Sequence, residues 1–272
     1  MDKIKVIVQQ NESTVVSEYK STVERQKEYQ SESDLELQLI EQLKSQGYEF
    51  LKIHDNQGLI DNLRFQLEKL NNFKFSENEW KTFLESYIDN PNEGIVEKTR
   101  KIQEDYIYNL RLDNGSSKNI WLLDKKNIHN NFLQVIHQYE VEGKYKNRYD
   151  VTILVNGLPL VHIELKRRGV SLKEAFNQIK RYERESFWAD NSLYEYAQIF
   201  IISNGTETKY YSNTTRELAQ KEQNNTNSNK KKTSNSFEFT SFWADGKNKN
   251  IKEIVDFTAT FLSRHTILNV LT

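Results

Sequence analysis

Residues 147–169 read NRYDVTILVNGLPLVHIELKRRG, two runs of strand character joined at Asn156-Gly157, the second ending in Glu164, Leu165 and Lys166. Strand side chains alternate between faces, so Glu164 and Lys166 project to one side with Leu160 and His162, while Val161, Ile163 and Leu165 face the other way. Taken alone, such a pair is an ordinary ion pair at a strand end and contributes little. Asp150 changes the reading, because it opens the preceding strand and a hairpin between the two would bring its carboxylate beside Glu164. With regular two-residue pairing at Asn156-Gly157, however, residue 155 opposes 158, and Asp150 opposes Ile163, away from Glu164. A shared site therefore requires an odd-length connection or a bulge near Gly157 and Pro159, where proline already weakens the ladder.

Two carboxylates and a lysine on one surface suggest a definite chemistry. Close carboxylates repel unless a cation lies between them, and hard oxygen ligands with open positions suit Mg²⁺, with Mn²⁺ as a substitute. Such a metal polarises a phosphodiester oxygen and generates hydroxide from bound water, with Lys166 orienting that water or stabilising developing charge. Downstream, SLKEAFNQIKRYERESF reads as a helix, with Ser171 and Glu174 in capping-box spacing and Leu172, Ala175, Ile179 and Tyr182 on one face. Gln178 and Tyr182, four apart, share a helix face, a spacing that a core aromatic with a rim amide would also produce. Lys166, Arg167, Arg168, Lys173, Lys180, Arg181 and Arg184 make a basic strip suited to phosphate backbones, although a solvated helix face has the same composition.

The rest of the chain frames this core. Residues 1 to about 30 predict a short strand and a loosely held arm. A helix follows over SDLELQLIEQLKSQGY, with a capping box at Ser33 and Glu36 and with Leu35, Leu39 and Leu43 on one face. LIDNLRFQLEKLNNF and ENEWKTFLESYI repeat the helical period, and strand character begins with NIWLLD. AQIFIISNGTETKYYSN predicts a hairpin turning at Asn204-Gly205. The polar segment QNNTNSNKKKTSNS predicts a disordered surface loop, and the tail returns to aromatic and then helical pattern without an internal repeat.

Composition excludes several functions. The chain has 272 residues, 36% hydrophobic content and no cysteine, which removes disulfides, thiol nucleophiles and thiolate zinc sites together. His54, His129, His137, His162 and His265 show no ligand spacing and read as packing or surface residues. No apolar run approaches a membrane span, and mean hydropathy is -0.80. A formal net charge of -1 means that a nucleic-acid partner is held by a local basic surface rather than by the whole chain's field. None of the nine glycines opens a phosphate-cradling G-x-x-x-x-G-K-[ST] loop.

The order Asp150, Glu164-Leu165-Lys166, Gln178 to Tyr182 resembles the D…ExK…QxxxY pattern of PD-(D/E)xK nucleases, with Tyr149 standing where the pattern's name has proline. The wider stretch, with EAFNQIKRY, ISNGTETKYY and the upstream SESDLELQLIEQLKSQGYEF, is similar to the N-terminal part of the restriction (motor) subunit of type I restriction-modification enzymes. The resemblance implies an α/β fold, a mixed sheet of about four or five strands flanked by helices, with extra N-terminal helical elements. It implies Asp150, Glu164 and Lys166 as catalytic residues, the two carboxylates as metal ligands, and Gln178 and Tyr182 as supporting residues. It also implies cleavage of double-stranded DNA after ATP-driven translocation, in a bacterial cytoplasmic complex with modification and specificity subunits. ATP would serve the helicase motor of the parent chain and not this part. The expected divisions are an arm at 1–30, an endonuclease domain at 31–223, a loop at 224–236 and a closing segment at 237–272 leading towards the motor. A free-standing nuclease of related fold and a non-catalytic docking module for partner subunits are the competing expectations. In related nucleases another acidic residue often lies on the first helix near the metal, but a capping role explains Glu36 equally well.

Overall fold

A computed structural model of the chain describes residues 4–10, 13–21, 30–141, 147–183, 187, 193–213 and 236–272. Strand β1 (Ile4–Gln10) pairs antiparallel with β2 (Ser13–Tyr19), so a hairpin stands where the sequence suggested one short strand and a loose arm. Helix α1 (Glu32–Ser45) buries Leu35, Leu39 and Leu43 as its period predicts. Its capping box is formed by Ser31 and Asp34 rather than by Ser33 and Glu36. The Asp34 amide donates to Ser31 Oγ at 3.1 Å and the Ser31 amide to Asp34 Oδ2 at 3.1 Å. The helix thus begins earlier than expected, and Glu36 falls in an interior turn on the buried side.

A short strand β3 (Glu49–Phe50) leads to helices α2 (Asn56–Asn71), α3 (Glu77–Phe83) and α4 (Ile95–Gln103). Strands β4 (Ile107–Arg111) and β5 (Ser117–Trp121) form a separate antiparallel hairpin, so the strand expected at NIWLLD lies outside the main sheet. The main sheet contains β6 (Leu133–Val141), β7 (Asn147–Val155), β8 (Leu158–Leu165), β9 (Ile199–Ser203) and β10 (Thr208–Ser212). With β3 it is six-stranded, in the order β10-β9-β8-β7-β6-β3, one strand more than the upper expectation. The β8·β9 and β6·β3 pairs are parallel and the others antiparallel, which makes the sheet mixed.

The β8-to-β9 connection carries α5 (Leu172–Tyr182), which packs on both of those strands. Ser171 caps α5 by accepting from the Lys173 amide at 3.3 Å, and the expected side-chain capping box with Glu174 does not form, although the Glu174 amide donates to the Ser171 carbonyl at 3.0 Å. The β9–β10 connection spans Asn204 to Glu207, longer than the two residues of the Asn204-Gly205 signal. The chain closes with β11 (Trp243–Ala244), β12 (Asn250–Ile251), α6 (Ile254–Thr260) and α7 (Arg264–Leu271). The lysine-rich loop expected at 224–236 lies, up to residue 235, outside the described residues.

The β7–β8 hairpin decides where the site stands. Asn156 and Gly157 both have positive φ, 50° and 86°, the geometry of a two-residue type I′ turn. Val155 pairs with Leu158 and Leu154 with Pro159, yet Ile153 pairs with Val161, so Leu160 is an extra residue on β8. The expected bulge is therefore present, one residue beyond Pro159. From there the pairing runs Thr152 with His162 and Val151 with Ile163, and the same register sets Asp150 across from Glu164.

Candidate active site

Asp150 and Glu164 converge because directly opposed residues of an antiparallel pair share a face. Asp150 Oδ2 accepts from the Leu165 amide at 2.8 Å, which fixes its carboxylate at the end of β8. Glu164 is fully buried, and its Oε1 accepts from Lys166 Nζ at 3.0 Å. Lys166 Nζ also donates to the Leu165 carbonyl at 3.0 Å and lies 3.9 Å from Glu32 Oε1. The triad expected from the sequence is thus assembled on one side of the sheet.

The electrostatics of this cluster follow from burial. Desolvation, followed by the charge of Glu164, pushes the Asp150 carboxyl up to about 7. Desolvation pushes Glu164 up to about 7 as well, against the opposing pull of Lys166. Burial works against the charge of Lys166, but Glu164 and Asp150 outweigh it and hold the ammonium above its ordinary value. The lysine therefore stays charged while the carboxylates want a further cation.

Sequence reasoning left Glu36 off the site. It is buried, accepts from Gln138 Nε2 at 3.1 Å and is pushed up to about 7 by desolvation and then by the charge of Asp150. Gln138 has a φ of 50° and sits in β6 between the pairs His137–Val151 and Tyr139–Tyr149, so the strand is distorted where it passes Asp150. The signal for Glu36 was its position among Leu35, Leu39 and Ile40, a carboxylate on the apolar side of a helix. His162 was read as packing. It is fully buried, held neutral by a desolvation that pushes it down to about 4, and its Nε2 stands 3.6 Å from Glu164 Oε2.

Gln178 and Tyr182 meet as their spacing predicts. Gln178 Nε2 donates to Tyr182 Oη, which donates to the Arg148 carbonyl at 2.8 Å, joining α5 to β7 two residues before Asp150. The basic strip is less uniform than its sequence. Lys166 is internal, and Arg168 bonds to Gln30 Oε1 at 3.3 Å and approaches Glu253 at 3.8 Å. Arg167, Lys173 and Arg181 are exposed, Lys180 is half-buried, and Arg184 lies outside the described residues.

The donor set fits a hard divalent cation held by few protein ligands. Glu164 Oε2 is buried and receives no N–H from the described residues, Asp150 is raised by burial and by the charge of Glu164, and Glu164 is raised by burial. Among the described residues no three His, Asp or Glu side chains form a metal-binding cluster, and Glu36 reaches Asp150 through its charge. Mg²⁺ bound by one or two carboxylates, with water and phosphate oxygens completing its shell, needs no larger set.

Comparison with known proteins gives a consistent result. The family model described as Type I restriction enzyme R protein N terminus matches residues 29–219. The Type I restriction enzyme EcoprrI endonuclease subunit of Escherichia coli is 49% identical over 272 residues, covering 100% of this chain and 82% of that protein. The SsaAORF53P endonuclease subunit of Staphylococcus saprophyticus is 39% identical over 255 residues, 89% of this chain and 25% of that protein. The SauMSSORF170P endonuclease subunit of Staphylococcus aureus is 38% identical over the same length and shares. The chain thus spans about a quarter of the length of its staphylococcal relatives.

Proposed function

This chain belongs to the family of type I restriction enzyme R protein N termini, and from that premise we propose that it is the endonuclease part of such a subunit, hydrolysing phosphodiester bonds of double-stranded DNA at Asp150, Glu164 and Lys166. The observation that carries this reading is the extra residue at Leu160, which sets Asp150 opposite Glu164 beside Lys166. Asp150 and Glu164 would hold the cation, Mg²⁺ in the first place. When bound, that cation would supply Lewis-acid polarisation of the phosphate and a more acidic water.

The chain's own residues do the rest. The Leu165 amide fixes Asp150, and Lys166 holds Glu164 Oε1 while keeping a positive charge beside the position of the reacting phosphate. The Gln178–Tyr182–Arg148 connection holds the start of β7, and with it Asp150, against α5. Arg167, Lys173 and Arg181, with Arg168 and Lys180 at the margin, would contact backbone phosphates.

The remaining assignments rest on the family. The partners would be modification and specificity subunits and the helicase motor of the same parent protein, which alone would use ATP. The setting would be the bacterial cytoplasm, and among the described residues no helix is long and apolar enough to cross a membrane. The test is made in the full assembly: Asp150→Ala, Glu164→Ala or Lys166→Ala should each abolish plasmid cleavage while ATP hydrolysis continues. Cleavage at the wild-type rate by any of these variants removes that residue from the site.

A further inference from the structure

His162 is fully buried in β8, and neither of its ring nitrogens has a hydrogen-bond partner. It sits in an aromatic box with Tyr149, Phe187, Tyr182 and Phe200, their ring centroids 5.5, 5.1, 6.2 and 6.4 Å away and all edge-on. Such a box asks for a flat apolar ring, and an orphaned nitrogen is costly there. One of the nitrogens faces an acceptor. Nε2 faces Glu164 Oε2 across 3.6 Å, and that oxygen is equally buried and receives no N–H, whereas Oε1 of the same carboxylate is taken by Lys166 Nζ at 3.0 Å; the Asp150 carboxyl is the other group within reach of Glu164.

We propose that His162 is a positioning residue for Glu164, its Nε2–H orienting Oε2 and closing to hydrogen-bond distance when a divalent cation draws the carboxylate into place. This deepens the nuclease reading and rests on it. At 3.6 Å the contact exceeds the roughly 2.7–3.2 Å of an N–H···O bond, so a shift of about half an ångström would satisfy both buried atoms at once. An oxygen with two lone pairs can accept from Nε2–H and still bind a metal. Lys166 on Oε1 and His162 on Oε2 would then fix both oxygens of the carboxylate, and metal affinity would depend on a ring that touches neither DNA nor metal.

Calorimetric titration of the whole chain with Mn²⁺, paired with thermal melting, tests this with the variants His162→Phe, His162→Gln and Asp150→Ala. Phenylalanine fills the box and removes two orphaned nitrogens, so it should melt at or above wild type while binding Mn²⁺ about tenfold or more weakly. Glutamine packs worse but offers an amide N–H at a similar reach, so it should melt lower yet bind Mn²⁺ within about threefold of wild type. Affinity and stability then rank the variants in opposite orders, which a packing role does not produce. If the Phe variant fails to fold, His162→Leu is judged by the same affinity criterion. A Phe or Leu variant that binds like wild type, or a Gln variant as weak as Phe, overturns the role of His162. If wild type and Asp150→Ala titrate alike, the metal centre itself falls, and this inference with it.

Discussion

Raising the pH from about 6.5 to about 8 without divalent metal should destabilise the chain, because three buried carboxyls lose their protons in the folded state across that window. Asp150, Glu164 and Glu36 are each pushed up to about 7, whereas in the unfolded chain they ionise near ordinary carboxylate values. Between those values the folded state binds more protons than the unfolded state, so stability falls as pH rises and the loss is complete once pH passes the folded value. For one carboxyl at about 7 the loss from pH 6.5 to 8 is about 0.8 kcal/mol, and for the cluster on the order of 1–2 kcal/mol. At roughly 2–4 °C per kcal/mol for a domain of this size, the melting temperature should drop by roughly 2–8 °C. His162 acts in the opposite sense but lower down. Its folded value of about 4 lies below its ordinary one, so its contribution is lost as pH falls from about 6.5 towards 4 and is constant above 6.5. The assay is differential scanning calorimetry in chelator-treated buffer, with and without Mg²⁺. Added Mg²⁺ should recover the loss at pH 8 and have less effect at pH 6.5, since it competes with the same protons. Asp150→Asn should flatten the slope. A metal-free melting temperature that is flat or rises from pH 6.5 to 8, or a slope unchanged in Asp150→Asn, refutes the reasoning.

Two further perturbations probe the scaffold of the site. Gly157→Ala should be costly, because φ is 86° and a Cβ there would stand 2.6 Å from the Leu63 Cα of α2. The left-handed conformation and the backbone clash together amount to about 3 kcal/mol, and chemical denaturation should show at least about 2 kcal/mol lost. A smaller loss would mean that α2 yields at the turn. Tyr182→Phe removes the hydroxyl that bonds to the Arg148 carbonyl and receives Gln178, so it should cost about 1 kcal/mol in stability. It should also slow DNA cleavage by the assembly while ATP hydrolysis continues, and undiminished cleavage would return Tyr182 to a packing role.

The site was legible where its chemistry and its register constrain each other. Glu164 and Lys166 alternate on one face, and the demand that Asp150 join them required a bulge beside an Asn-Gly turn, which stands at Leu160. That Gln178 and Tyr182 meet was legible from helical spacing, whereas a supporting role for them came only from the family resemblance. What escaped was decided by competition or by tertiary pairing. Two overlapping cap patterns start α1, and the reciprocal bonds of Asp34 with Ser31 place the helix so that Glu36 is an interior, buried residue. At α5 the Ser171 hydroxyl takes the Lys173 amide, and no side-chain pattern announces that choice. Strand β6 is interrupted in sequence by His137 and Gln138, polar residues whose place in the sheet depends on β7 and α1. Strand β3, only two residues long, exists through its parallel pairing with β6 and has no period of its own.

The bulge resolves a conflict between turn and sheet. A two-residue turn fixes the pairing parity of the strands that leave it, and by that parity Asp150 and Glu164 belong on opposite faces. The turn cannot slide to absorb the difference. The Asn156 side chain accepts from the Phe132 amide at 2.8 Å and donates to the Leu122 carbonyl at 2.9 Å and to Asn131 Oδ1 at 2.7 Å, while Gly157 lies against α2. The correction must therefore come within the strand, before the carboxylates. It comes where Pro159, which has no amide to donate, has already weakened the ladder. The carbonyl of the extra residue, Leu160, accepts from the Gln198 amide at 2.8 Å, so the inserted peptide is tied to the entrance of β9. The bulge thus joins the parity of β8 to the β9 side of the sheet, and the side-chain cluster of Asp150, Glu164 and Lys166 depends on a backbone irregularity whose own polar group is satisfied.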